Sequence, residues 1–230
     1  MNIVSFSGGK DSTAMLLLMI EKNISIDKVV FFDTGWEFPQ MYDHIKLVEK
    51  KTGFKIDKIT PRLPFDYLMT EKETNNKTYG KRPGFGWPTM LRRWCTAEKR
   101  GALNKWKRQF KDATFYIGIA ADEDRPLIDD NKYPLVENNI TEDLALKMCY
   151  DNGYDFGGLY NHFKRVSCWC CPLGGKRRAK ILWEYYPELW KEIKDIQSIK
   201  LIEGHENFIE GKQYNDLEME FEGHNQIKLF

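Results

Sequence analysis

The chain contains no run of about 18 apolar residues, so no segment reads as a membrane-spanning helix. It lacks a basic stretch followed by an apolar one near its start. Strand-like residues begin at Asn2, and Gly8-Gly9 interrupts them. A cytoplasmic protein is therefore expected. Net charge is also missing, since 35 basic residues face 34 acidic ones and leave +1. That argues against coating nucleic acid by bulk charge, though a local basic patch can still act. Internal repeats and low-complexity segments are absent. Cysteine is scarce and odd in number, five in all, with three crowded into Cys168-Trp169-Cys170-Cys171. In a cytoplasmic protein this suggests metal, cluster or redox work rather than a disulfide scaffold.

What is present is enough for one α/β core and a smaller appended region: 230 residues, 42% hydrophobic. Ile3 to Phe6 reads as a strand, Ser12 to Lys22 as a helix, and Lys28 to Phe32 as a second strand. Pro39 opens a helix that runs to about Lys51 and stops at Gly53; Lys55 to Thr60 is a third strand. Alternation of this kind predicts a mostly parallel sheet with right-handed crossovers. From Thr74 to Trp94 periodicity fails, and a long loop is expected. Ala97 to Phe110 returns to helix, and Thr114 to Ile119 is a strand. Thr141 is the expected N-cap of a helix through about Tyr150, with Gly153 past its end. A helical stretch from Lys176 to about Gln197 should divide at Pro187. The last thirty or so residues are polar and weakly patterned. The expected division is a nucleotide-binding core, 1–135, and a helical, cysteine-containing C-terminal region, 136–230.

Ser7-Gly8-Gly9-Lys10-Asp11-Ser12 sits where the first strand gives way to the first helix. Free N–H groups and the helix dipole favour an anion there, and glycine lets the backbone approach phosphate. Ser7 and Ser12 offer hydroxyls, Lys10 a positive charge, and Asp11 a water-mediated contact to Mg2+. The glycine-to-lysine spacing is too short for the Walker pattern.

This hexapeptide resembles the PP-loop of the N-type ATP pyrophosphatases and of phosphoadenosine phosphosulfate (PAPS) reductases. Further segments resemble the PAPS reductase family in order. Asp33-Thr34-Gly35-Trp36-Glu37-Phe38-Pro39 is similar to its Asp-Thr-Gly…Phe-Pro-Glu stretch, and Gly118 to Arg125 to its Gly-x-Arg-x-x-Glu segment. Pro134-Leu135, Thr141 to Tyr150 and Leu159-Tyr160 resemble its Pro-Leu…helix…Leu-Tyr stretch. Ser167 to Pro172 resembles its Gly-Cys-x-x-Cys segment. The resemblance covers about residues 1 to 190. It implies a Rossmann-like open sheet flanked by helices, with an adenine nucleotide across the carboxyl ends of the strands. The implied nucleotide contacts are Ser5, Ser7, Gly8, Gly9, Lys10, Asp11, Ser12, Asp33, Thr34, Gly35, Gly118 and Glu123. Catalytic parts are expected of Lys10, Asp11, Arg93, Cys95 and Arg125.

Cys168 and Cys171 form C-x-x-C, a spacing suited to zinc, an iron–sulfur cluster or a dithiol couple. Cys95 follows Arg92-Arg93-Trp94, where cluster-bearing sulfonucleotide reductases carry a cysteine pair. Cys95, Cys168 and Cys171 would give three ligands of a [4Fe-4S] cluster or Zn2+, with Cys170, Cys149, His162 or a substrate atom as the fourth. One departure matters: PAPS reductases use a cysteine in a C-terminal Glu-Cys-Gly-x-His tail, and here no cysteine follows Cys171. The first expectation is ATP cleavage between the α and β phosphates to adenylate a substrate, for instance for sulfur transfer as in tRNA thiolation. The alternatives are a sulfonucleotide reductase with a non-standard cysteine and a thioredoxin-like reductant, and a non-catalytic nucleotide-binding subunit. Lys81 to Lys111 holds ten basic residues and one acid, Glu98, a segment suited to tRNA or DNA. A sulfur-donor protein and a homodimer complete the expected partners.

Overall fold

The computed structural model describes residues 1–76, 80–199, 207–209 and 211–227. It forms two compact units that interleave along the chain. One comprises Met1–Asp33, Glu37–Thr60 and Gly101–Ser167; the other comprises Thr34–Trp36, Pro61–Arg100 and Cys168–Phe230. This partition differs from a cut at residue 135, because helices beyond that point pack on the first helix.

In the first unit, β1 (Asn2–Phe6), α1 (Lys10–Glu21), β2 (Lys28–Phe32), α2 (Pro39–Thr52) and β3 (Ile56–Ile59) follow the expected alternation. The chain then supplies α3 (Phe65–Thr70), β4 (Glu73–Asn76) and β5 (Gly80–Pro83) to the second unit. α4 (Trp94–Lys107) bridges the two in sequence. β6 (Thr114–Ile117), β7 (Asn131–Lys132), α5 (Pro134–Glu137), α6 (Glu142–Asp151) and α7 (Leu159–His162) complete the first.

The five-stranded sheet has the order β3-β2-β1-β6-β7, and every pairing is parallel. The apolar run of β2 is buried because a parallel sheet is covered on both faces. α1 lacks β-branched residues over most of its length, and its Met15, Leu16 and Met19 are fully buried. It packs on α5 and α6. Pro39 occupies the first turn of α2, and Gly53 ends it in the left-handed conformation at φ 76°. Thr141 caps α6 by accepting the N–H of Leu144. The strand order places a switch point between β1 and β6. The chain leaves β1 toward β2 and β3, then resumes on the opposite side at β6. In open parallel sheets such a point creates a crevice at the carboxyl ends of the strands.

The second unit adds α8 (Gly175–Tyr185), α9 (Pro187–Ser198) and α10 (Tyr214–Ile227). The division at Pro187 is present, with proline at the first position of α9. One expectation is corrected. The segment 74–94 is not loop throughout: β4 and β5 pair antiparallel from Glu73↔Pro83 to Asn76↔Gly80. Their residues are polar, so backbone pairing leaves no apolar alternation to read. Within the weakly patterned tail, α10 buries Leu217 and Phe221, one helical turn apart, with Phe221 against Trp183 and Trp190.

Candidate functional site

The loop after β1 is organised around one hydroxyl. Ser12 Oγ donates to the Gly9 carbonyl (3.0 Å) and accepts the Ser7 N–H (3.1 Å). Its proton is thereby used, so in the 3.0 Å contact between the two serines Ser7 Oγ donates. Gly8 lies at φ 78°, and a Cβ there would collide with Met41 Sδ. Among the described residues, the N–H groups of Gly8, Gly9, Asp11 and Ser12 have no acceptor. They form the unsatisfied N-terminal donors of α1. The Lys10 N–H instead meets Tyr160 Oη at 2.7 Å.

Lys10 does not point an unpaired ammonium at this loop. Its side chain is 5% exposed and binds Asp11 at 3.0 Å and Glu142 at 2.8 Å. Burial acts to lower its pKa, but the bonds to Glu142 and Asp11 outweigh burial and raise it. The partner does not mirror this: burial raises Asp11's pKa and overrides the pull of Lys10. Lys10 is shared between two carboxylates, and Asp11 retains an oxygen for other contacts. Glu142 in turn is placed by its N–H, which donates to Asp122 Oδ1 at 2.8 Å.

Across the switch point, Ser5 pairs in register with Ile117, so Gly118 follows directly at the loop's flank. A Cβ on Gly118 would lie 2.8 Å from both Cα and N of Ser12 and 2.9 Å from the Asp11 carbonyl carbon. Gly118 is thus the bare surface against which the first turn of α1 rests. Glu123 is a charge-pair centre, 3.1 Å from Arg165 and 3.8 Å from Arg125. Its charge also raises Asp11's pKa, after larger contributions from burial and Glu142. Asp33, on the loop after β2, accepts from Tyr42 Oη at 2.7 Å, and Lys58 Nζ lies 3.8 Å away.

Two buried groups support the loop from below. Thr13 Oγ1 donates to the Gly9 carbonyl, so its 3.0 Å bond with His44 is made by the His44 Nε2–H. His44 lies among Phe6, Tyr154 and Phe156. Cys149 donates to the Lys10 carbonyl, and burial pushes its thiol up to about 12. No motif marks His44, and only packing reveals it. Tyr160 lay within a recognised stretch but carried no assigned role.

The remaining expected residues belong to the second unit. Thr34 Oγ1 accepts the Trp36 N–H at 3.0 Å and lies 3.5 Å from Cys168 Sγ; Gly35 is exposed at φ 80°. Arg93 is exposed and donates to Met90 Sδ, and Leu91 beside it is fully exposed. Cys95 opens α4 half-buried. Burial raises the Cys95 thiol, with the Cys171 charge adding to it. Cys170 is buried, which together with Cys168 and Cys171 holds its thiol well above the usual value. The four cysteines therefore share one neighbourhood of the second unit. Yet among the described residues no three His, Cys, Asp or Glu side chains are arranged to hold a metal ion. The expected zinc or cluster ligand set does not fit this arrangement. The Mg2+ expectation asks less, because that ion takes one or two carboxylates and otherwise water and phosphate; Asp11 suits it. Of the basic segment, Lys81 pairs with Glu73 and Lys107 lies 4.2 Å over the Phe115 ring. Part of that charge thus serves the fold. Among the described residues, no helix is long and apolar enough to cross a membrane.

The family model of the phosphoadenosine phosphosulfate reductase domain matches residues 1–127, which include β1, the β1–α1 loop and Gly118. The chain belongs to this family. The fold agrees: the crystal structure of PAPS reductase from Candida auris, a phosphate complex, superposes with a TM-score of 0.51. That match is 16% identical and covers 74% of this chain and 82% of the other. Two uncharacterized proteins of Methanocaldococcus jannaschii, MJ0973 and MJ0066, are 29% and 24% identical over 205 and 218 residues. Each alignment takes in 84% of this chain but only 46% and 41% of those proteins. The chain of this PAPS reductase family member thus spans less than half the length of those curated relatives.

Proposed function

We propose that the chain binds ATP at the β1–α1 loop and cleaves it between the α and β phosphates to adenylate an acceptor. One observation carries this: four N–H groups without acceptors among the described residues gather at the switch point of a parallel sheet, on a glycine loop. A polyphosphate satisfies such donors as no neutral ligand can. In the step, an acceptor oxygen attacks the α-phosphorus and the bond to the β-phosphate oxygen breaks, releasing pyrophosphate. The loop amides stabilise the charge that develops, while Lys10, held between Asp11 and Glu142, fixes the first turn of α1 that carries them. Asp11 would hold the Mg2+ that accompanies the nucleotide. Asp33 and Glu123 are proposed to contact the nucleoside, and Arg125 to steady the phosphates. The exposed part of the basic segment is proposed to receive tRNA.

The sulfonucleotide reductase alternative requires a thiolate nucleophile. Burial raises the thiols of Cys95, Cys149 and Cys170, which disfavours a thiolate at those three positions. The two reactions leave different products. With Mg2+, ATP and total tRNA, adenylated tRNA and pyrophosphate should form, AMP leaving only when a second nucleophile displaces it; with PAPS and thioredoxin, no sulfite should appear. Sulfite from PAPS, or ADP and phosphate from ATP, would replace this proposal.

A further inference from the structure

Tyr160 holds a position at the phosphate loop that the fold goes to some length to fix. Its ring lies edge-on to Phe156, with centroids 4.8 Å apart, and Phe156 stacks at 4.2 Å on His44. His44 bonds Thr13 in the second turn of α1, so the tyrosine and the helix it meets share one support. The chain enters α7 through Phe156, Gly157 and Gly158 at φ 55°, 58° and 77°. A residue with a Cβ rarely accepts such a φ, and the Asp155 carboxylate steadies the run by accepting the Gly157 N–H. The result brings Tyr160 Oη to 2.7 Å from the Lys10 N and to 3.2 Å from where a Gly9 Cβ would stand.

Counting protons at this oxygen leaves one unused. A phenol oxygen can accept and also donate. Here it accepts the Lys10 N–H, and among the described residues nothing receives its own proton. Burial raises its pKa, so that proton stays on oxygen across ordinary pH. Lys10 meanwhile spends its ammonium on Asp11 and Glu142.

We infer that Tyr160 is a phosphate-binding residue: its hydroxyl takes the Lys10 amide and donates its own proton to a phosphate oxygen of the nucleotide. The loop's ligand set is then the amides of Gly8, Gly9, Asp11 and Ser12 together with one neutral O–H. This assignment rests on the proposed nucleotide site. It selects for phosphate, because only an acceptor-only oxygen suits an O–H donor placed beside four N–H donors.

The test is calorimetric titration of the full chain and of Tyr160→Phe with Mg2+–ATP and, separately, with adenosine. The substitution removes one oxygen and keeps the ring contact with Phe156, and the thermal midpoint reports folding. Affinity for ATP should fall about tenfold while affinity for adenosine holds. Unchanged or tighter ATP binding, the latter marking Tyr160 as a plug, overturns the assignment. So does an equal loss for both ligands, which marks a purely structural role. Should Tyr160→Phe fail to fold, Tyr160→3-fluorotyrosine keeps the oxygen with a more acidic O–H. It should bind ATP at least as tightly as the wild type, and weaker binding overturns the assignment. Failure of the nucleotide site itself shows separately, as a wild-type chain that does not bind ATP, and overturns both.

Discussion

Gly118→Ala should cost this protein its nucleotide binding. The added Cβ would stand 2.8 Å from two main-chain atoms of Ser12 and 2.9 Å from one of Asp11. Main chain cannot turn aside as a flexible side chain can, so β6 and the first turn of α1 must separate. Overpacking of this kind costs about 1–3 kcal/mol in stability. Binding suffers more, because the Asp11 and Ser12 amides are the ones displaced. Losing two hydrogen bonds to a charged ligand, at about 1.5–3 kcal/mol each, corresponds to roughly 100-fold or more in affinity. Gly101→Ala is the control: in α4 a Cβ at that site meets nothing within 4 Å. It should leave ATP affinity unchanged and add up to about 1 kcal/mol of stability. Calorimetry and urea unfolding of both variants check this, and equal ATP binding by the two would dissociate Gly118 from the site.

Acid should destabilise the first unit through His44. Burial lowers its pKa from 6.5 to about 4, against a small opposing effect of Asp155. The physical source is the aromatic enclosure by Phe6, Tyr154 and Phe156, in which the second ring nitrogen cannot be charged cheaply. Between pH 6.5 and 4 the unfolded chain carries a proton on His44 that the folded chain lacks. The contribution is therefore complete above pH 6.5 and is lost as pH falls through that window. Integrated, it is on the order of 3 kcal/mol. His44→Phe should show a flatter stability curve between those pH values, although it starts lower for want of the bond to Thr13. Parallel slopes for wild type and variant in urea unfolding from pH 7.5 to 4 would remove His44 as the cause.

What could be read from the sequence follows from where the information lies. β1, α1, β2, α2 and β3 were legible because each carries an apolar run of the right period between sharp signals: Gly8-Gly9, Pro39 and Gly53. The glycine loop between β1 and α1 was legible because its signal sits in six consecutive residues. β4 and β5 were not, since ETNN and GKRP pair through main chain alone. α10 escaped because Met219, 73% exposed, blurs the spacing of Leu217 and Phe221. The partners of Lys10 were hidden for another reason: Glu142 and Tyr160 lie 132 and 150 residues away. Only the packing of α6 and α7 against the loop brings them there. The lysine that looked like a phosphate ligand is instead one arm of an ion-pair triad, which no local motif encodes.

A crystal structure of the chain grown with Mg2+ and a non-hydrolysable ATP analogue tests the central claim most directly. The account predicts phosphate oxygens within about 3 Å of the Gly8, Gly9, Asp11 and Ser12 amides, between the ends of β1 and β6. A fully ordered analogue with its phosphates elsewhere, and those amides facing only water, would contradict it.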